Sequence, residues 1–272
     1  MTAVIIGYGA SHPGNVRQIN EDAWRIEPAM GLCLVADGMG GHNAGEVASD
    51  MAADAIVNFL RCTYEGEDVT WPYGIDPDLS FDANRLLTAI RLGNRRVFRA
   101  AESHDEYTGM GTTVVAALVD VDRLSFAGVG DSRVYLFRNG TLEQLTKDDS
   151  WVARLPADDP RVEPVAKHPM RHVLTNVVGA RAQMDFEVME RPLTDGDALL
   201  LCSDGLHGEL EDETMAAILA GGGEAQTIAE KLVQTTLQGR ASDNVTALIV
   251  KYHADPAPVP GDTGDTGGAG KG

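Results

Sequence analysis

The sequence predicts an α+β sandwich, with helices packed outside antiparallel β-sheets. Short apolar segments of strand length recur along most of the chain. Some follow one another across a two-residue turn, which joins antiparallel strands but cannot join parallel ones. Helical periodicity comes in pairs rather than between every two strands, so the regular alternation of a parallel sheet is missing.

The elements follow in order. Residues 4–9, 23–26 and 32–36 are strand segments. A helix comes next, in which Val47, Met51, Ala55 and Phe59 lie beside Ala48, Ala52, Ile56 and Leu60 to form a wide apolar stripe. A second helix runs from about residue 83 to 101, with Leu86, Ile90, Val97 and Ala101 on one face. Strands resume at 113–119, 124–129, 133–137 and 142–145, and Asp122-Arg123 and Asn139-Gly140 read as the tight turns of consecutive hairpins. Further strands fall at 186–189 and 198–202. A helix pair near 211–220 and 224–238 is split by Gly221-Gly222-Gly223, and the last strand is 245–252. Residues 254–272 lack aromatics and are dominated by Gly, Pro, Asp and Thr. They read as a disordered tail behind a single domain of residues 1–253.

Composition narrows the function. The 272 residues are 43% hydrophobic, enough for one large domain with a substantial core. No apolar run approaches a membrane span, and the first residues lack the regions of a signal peptide, so the expectation is a cytoplasmic monomer that does not engage membranes. Cys33 and Cys202 lie in strand-like runs and read as small buried hydrophobes, while Cys62 follows a helix pattern. Three cysteines without regular spacing argue against a disulfide framework or a zinc site. The net charge of −19, from 41 acidic and 22 basic residues, would repel a nucleic-acid backbone.

Residues 35–45 read VADGMGGHNAG, placing Asp37 at the end of an apolar strand with glycines beyond it. Two readings fit: a glycine-rich turn with a capping aspartate, or a carboxylate held rigidly beside bare backbone so that an ion or phosphate can approach. Asp204 follows the strand ending in Cys202, Asp131 sits in VGDSR, Asp243 precedes the last strand and Asp22 precedes another. Five aspartates at strand ends are either unrelated turns or one acidic cluster. A cluster would need cations to neutralise it.

RQINED, DGMGGH, GMGTT, GDSR, CSDGL and SDN, in this order across residues 17–244, resemble the motif series of the metal-dependent Ser/Thr protein phosphatases of type 2C, in the form of their bacterial members. The resemblance implies a sandwich of two antiparallel sheets flanked by antiparallel helix pairs, hydrolysing phosphoserine and phosphothreonine on proteins phosphorylated by a Ser/Thr kinase. It implies that Asp37 bridges two metal ions, that the Gly38 carbonyl binds one, and that Asp204 and Asp243 hold the other. Asp131 and Asp204 would take a third, weaker ion. Asp22 would hydrogen-bond water on the metal, and Arg17 would bind the substrate phosphate. Oxygen ligands without a matching histidine or cysteine set suit Mn²⁺ or Mg²⁺, and an arginine fork suits phosphate oxygens.

Many eukaryotic members carry a histidine two residues after the bridging aspartate. Met39 stands there, so the proton would come from His42, the nearest replacement as an acid, or from a water on the metal. Residues 148–179 correspond to the family's flap and read as short, so no substrate preference carries over. Other phosphate chemistries fail on the sequence. The residues six after the three cysteines are Met39, Asp68 and Gly208, not arginine; Leu124 spoils an aspartyl-phosphate motif at Asp120 and Asp122; and the tail's GGAGKG lacks both the first glycine and the final Ser/Thr of a P-loop. The alternative is a phosphatase-like domain without catalysis that binds or regulates a phosphoprotein. Asp37, Asp204 and Asp243 are all present, which favours the enzyme.

Overall fold

The structure, a computed structural model, describes residues 4–41, 44–66, 69–151 and 173–254. Two antiparallel sheets stack face to face. The first has the order β1 (Val4–His12), β11 (Val245–His253), β10 (Ala198–Cys202), β7 (Arg133–Arg138) and β8 (Thr141–Gln144). The second runs β2 (Asp22–Glu27), β3 (Leu32–Met39), β5 (Val114–Asp120), β6 (Arg123–Val129) and β9 (Val188–Pro192), and the short β4 (Gly111–Thr112) pairs with the end of β3. Helices α1 (Ala44–Tyr64) and α2 (Phe81–Ser103) cover the second sheet. Helices α4 (Asp212–Ala220) and α5 (Ala225–Leu237) cover the first, and the single turn α3 (Asp204–His207) follows β10. The predicted order of layers, helices outside and sheets inside, is the one observed.

Burial on both faces explains why the strands read as continuous apolar runs. Along β3, Leu32, Leu34 and Ala36 face α1 and α2, while Cys33 and Val35 enter the layer between the sheets. Along β11, Leu248, Val250 and Tyr252 enter that middle layer, and Val245, Ala247 and Ile249 face α4 and α5. Cys33 and Cys202 are fully buried, and burial pushes the Cys33 thiol up to about 12, so both act as small hydrophobes. The buried face of α1 is mostly small residues (Ala44, Gly45, Ala48, Ser49, Ala52 and Ala53), which lets the helix lie close on the sheet. Helix α2 starts at Ser80, whose Oγ accepts from the Ala83 N–H at 3.1 Å.

Some local expectations need correction. Asp120 pairs with Arg123, so the hairpin loop is Val121-Asp122 rather than Asp122-Arg123. Val121 has φ 51°, a conformation that β-branched residues avoid, and turn chemistry therefore could not point to it. Asn139 (φ 53°) and Gly140 (φ 81°) do form the two-residue turn between β7 and β8. β9 starts two residues late because Phe186 packs against the α1–α2 layer instead of joining the sheet. β4 and α3 went unforeseen, being too short to show a period. Residues 255–272, nearly all of the proposed tail, lie outside the described residues. Among the described residues, no helix is long and apolar enough to cross a membrane.

The two sheets press together closely at their β1 and β2 edges. A Cβ on Gly9 of β1 would stand 2.6–2.8 Å from the ring of Trp24 on β2. Gly9→Ala is expected to destabilise the fold by about 1–3 kcal/mol through overpacking, read as a lower denaturant midpoint at constant slope. An unchanged midpoint would show that this contact has room to give.

Candidate active site

Antiparallel pairing brings scattered strand ends to one end of the sandwich. Asp22 opens β2 and is the register partner of Asp37 on β3. Val114 at the start of β5 pairs with Val129 at the end of β6, so Gly130 and Asp131 emerge beside the end of β3. Asp131 leads into β7, where Arg133 pairs with Cys202 at the end of β10, and Asp204 lies two residues further on. Cys202 also pairs with Ala247 near the start of β11, just after Asp243. The five carboxylates thus meet although they lie up to 221 residues apart in the chain, as the span from Asp22 to Asp243 shows. Asp37, Gly38, Asp131, Asp204, Asp243 and Arg17 line a common cleft of about 660 Å³, with Glu21 beside them.

Asp37 lies deepest. Burial first, and then repulsion from Asp22, Asp204, Asp131 and Asp243, raises its pKa well above the usual carboxylate range. Its backbone is locked on both sides. The Asp37 N–H donates to Thr113 Oγ1 (3.0 Å), and its carbonyl accepts from Thr113 N–H (2.8 Å) and Thr112 Oγ1 (2.9 Å). Thr113 Oγ1 also meets Ser132 Oγ at 2.7 Å, tying β3 to the Asp131 loop.

Asp22 lies under the cleft, in a relay of hydroxyls. Ser203 Oγ (2.7 Å) and Thr246 Oγ1 (2.6 Å) both donate to its Oδ2. Since Thr246 spends its one hydroxyl proton there, Ser11 Oγ donates to Thr246 (2.7 Å), and Asn20 Nδ2 in turn donates to Ser11 (2.7 Å). The other oxygen, Oδ1, is buried without a hydrogen-bond partner. Burial pushes the Asp22 carboxyl up to about 7, against the opposing pull of the two hydroxyls.

Arg17 rides on the loop between β1 and β2, and Asn244 holds that loop down. Asn244 Nδ2 donates to the carbonyls of Pro13 (3.1 Å) and Ile19 (2.9 Å), and its Oδ1 accepts from the Glu21 N–H (2.8 Å). Gly14, at φ 81°, packs where a Cβ would stand 2.1 Å from the Asp243 carbonyl oxygen. Arg17 Nη2 reaches Asp243 Oδ2 at 2.9 Å across a half-exposed gap, and Asp243 raises the guanidinium pKa further. Glu21 faces the same cleft, and burial raises its pKa.

The remaining walls are fixed locally. Burial lowers the His207 pKa, and the neutral ring donates from Nε2 to the Asp131 carbonyl at 2.9 Å. A Cβ on Gly205 would fall 2.0 Å from the Asn244 carbonyl oxygen, so the glycine of CSDGL allows α3 to sit against SDN. Gly38 serves a similar end, because Gly45 O would be 2.0 Å from its Cβ and α1 docks there backbone to backbone. Gly41 has open space around it, and nothing in the structure requires a glycine there. The flap stem is zipped by Thr175 N–H to Asp149 O (2.7 Å) and Trp151 N–H to Val173 O (2.8 Å). Residues 152–172 of the flap, and His42, lie outside the described residues.

Supporting residues not singled out from the sequence include Glu21, Ser203, His207, Asn244 and Thr246. Three of them were already inside the quoted motifs RQINED, CSDGL and SDN. Their polar side chains next to the aspartates were the available signal.

The site fits divalent cations of the Mn²⁺ or Mg²⁺ kind. Its donors are carboxylate and main-chain oxygens, its mutual repulsion calls for positive charge, and Asp22 Oδ1 lacks a partner. Among the described residues, no three Asp, Glu, His or Cys side chains converge as a ready-made cage.

Asn244→Ala should release the Arg17 loop while leaving the sheets paired. Hydrogen exchange at the Glu21 amide should accelerate at least tenfold, since its acceptor is gone. Unchanged protection of that amide would mean that the loop is held by other contacts.

Residues 8–239 match the family described as Protein phosphatase 2C. The chain is 36% identical over 249 residues to the serine/threonine protein phosphatase PstP of Mycobacterium tuberculosis, an alignment covering 90% of this chain but 45% of PstP. The chain therefore spans less than half the length of that relative. It is 33% identical over 246 residues to the serine/threonine phosphatase stp of Listeria welshimeri, covering 88% of this chain and 92% of the relative. A crystal structure of the PstP catalytic domain in complex with two manganese ions superposes with a TM-score of 0.78 at 34% identity, covering 93% of this chain and all of that one. The chain belongs to the protein phosphatase 2C family.

Proposed function

We propose that this chain hydrolyses phosphoserine and phosphothreonine on proteins, the products of a Ser/Thr kinase, with two Mn²⁺ or Mg²⁺ ions held by the strand-end carboxylates. One observation carries the reading: Asp37, Asp131, Asp204 and Asp243, from separate strand ends, share one cleft with Arg17, and Asp22 lies beneath it. Asp37 is the bridging ligand in this reading, and the Gly38 carbonyl completes one site. Asp204 and Asp243 form the other, and Asp131 with Asp204 takes a third, weaker ion. When bound, the ions supply an activated water and neutralise the charge that develops on the phosphoryl group and departing alkoxide.

The chain's own residues position these partners. Arg17 presents a permanently charged planar group at the rim, where its contact with Asp243 orients it toward the cleft. A phosphate oxygen can take the donors that Asp243 does not engage. Asp22 is held by two hydroxyls on Oδ2, so Oδ1 is the oxygen that accepts a hydrogen bond from the attacking water. The clamps on the Asp37 main chain fix the backbone that carries its carboxylate before any substrate arrives, which lowers the reorganisation needed during reaction. Met39 cannot serve as an acid for the leaving group, and His42 is the imidazole nearest in sequence for that role.

Chelated protein should lose hydrolysis of p-nitrophenyl phosphate and of a phosphothreonine peptide, and Mn²⁺ should restore both. Asp37→Asn at saturating Mn²⁺ should lower kcat by at least 10²-fold, on the order of 2.7 kcal/mol of transition-state stabilisation. Near-normal turnover in a folded Asp37→Asn protein would refute the proposed centre.

A further inference from the structure

A second groove of about 760 Å³ adjoins the acidic cleft and shares Met39 and Val177 with it. Phe98 and Ala101 of α2 form one wall, and Met110 lies at its base. Glu102 is the one ionisable side chain among the described lining residues, in sharp contrast to the neighbouring cleft. Gly109, Gly111 and Gly179 line it too; a Cβ on Gly109 would meet nothing within 4 Å, whereas one on Gly111 would press on Val177 and one on Gly179 on Val97.

Its walls are tied together. Thr112 and Val178 exchange backbone hydrogen bonds of 3.0 and 2.9 Å, joining β4 to the far wall. Asn94, buried in α2, accepts from the Gly179 N–H (2.8 Å) through Oδ1 and donates through Nδ2 to the Arg181 carbonyl (3.0 Å). β4 also pairs with Gly38 and Met39, and Thr112 Oγ1 donates to the Asp37 carbonyl. The groove is therefore built on the same backbone that positions the central aspartate.

We propose that this groove takes an apolar side chain of the phosphoprotein substrate, close in sequence to the phosphorylated residue. The inference rests on the phosphatase reading above. A phosphoryl group in the acidic cleft fixes where the substrate chain enters, and an extended chain advances about 3.3 Å per residue. A neighbour one to three residues away therefore reaches a groove that shares two wall residues with the cleft. The lining favours a leucine- or phenylalanine-like side chain over a charged one, because a charge would be desolvated against Phe98, Met110 and Val177. The groove would make the enzyme select among phosphoproteins by sequence, whereas the acidic cleft recognises only the phosphate.

The test uses phosphothreonine peptides of Gly and Ser with a single Leu placed at each position from three before to three after the phosphothreonine. The all-Gly/Ser parent and p-nitrophenyl phosphate serve as references, with Mn²⁺ present. Leu at one or two positions should raise kcat/KM about tenfold over the parent, mainly through KM, as expected for burying such a side chain. Lys at the same position should give no gain. Thr108→Trp, placed on the exposed rim to fill the groove, should bring the ratio of Leu peptide to parent within about twofold of one. A flat response across the Leu series, a preference for Lys, or a gain that survives Thr108→Trp overturns the proposal. If the wild-type protein hydrolyses p-nitrophenyl phosphate while the Leu series is flat, the groove alone is refuted. Absence of any hydrolysis refutes the catalytic reading, and the groove proposal falls with it.

Discussion

Repulsion among carboxylates is the constraint around which this molecule is organised. Asp22, Asp37, Asp131, Asp204 and Asp243 meet at one end of the sandwich, and Asp37 feels the charge of the other four. Such a cluster works against folding, because each charge disfavours the next and burial disfavours them all. Arg17 is the one Lys or Arg side chain among the described residues of the cleft wall, and it stands at the rim. The apolar layers therefore have to hold the cluster together. Three layers of packed side chains, one between the sheets and one under each helix pair, fix the strand ends that carry the charges.

Apart from the Arg17–Asp243 ion pair at the rim, the polar contacts that hold Asp22 and the Asp37 backbone are hydroxyls and amides. Asn20, Ser11, Thr246 and Ser203 form a chain that ends on one oxygen of Asp22. Thr112 and Thr113 lock the backbone of Asp37, while Asn244 secures the loop of Arg17. Neutral donors can orient a carboxylate without cancelling the charge that a metal ion needs. Lysines in these positions would relieve the repulsion and compete with the ions. The same backbone extends through β4 into the apolar groove, so the phosphate cleft and the groove share one support.

The layer order and most element positions were legible in the sequence because burial on both faces leaves long apolar runs, as in Leu32 to Ala36 and Ala198 to Cys202. The Asn139-Gly140 turn was legible for its own reason, the tolerance of both residues for positive φ. Val121 defeats the same reasoning, since a β-branched residue stands at φ 51° in an exposed turn where local preference would not place it. Each site aspartate was visible as a strand-end carboxylate beside a short motif. Apart from what the motif resemblance implied, their convergence was not, because it depends on the register of pairs such as Asp22–Asp37 and Arg133–Cys202, which periodicity does not encode. Nor was the groove, which arises where α2, the loop before β4 and the flap stem come together without any motif of their own.

A raised carboxylate pKa means that the fold favours the protonated form, so ionised Asp37 lowers stability at neutral pH and removing its charge should return that stability. The direct test compares thermal unfolding of wild-type protein and Asp37→Asn, each in chelator and in Mn²⁺. In chelator the variant should melt at the higher temperature, because a repelled charge is gone with little change of shape. Mn²⁺ should raise the wild-type melting temperature strongly and that of the variant much less, since binding to the folded state stabilises by mass action. A variant that melts below wild type in chelator and gains as much from Mn²⁺ would contradict the account, because Asp37 would then be part of the scaffold and not the charge that the scaffold exists to hold.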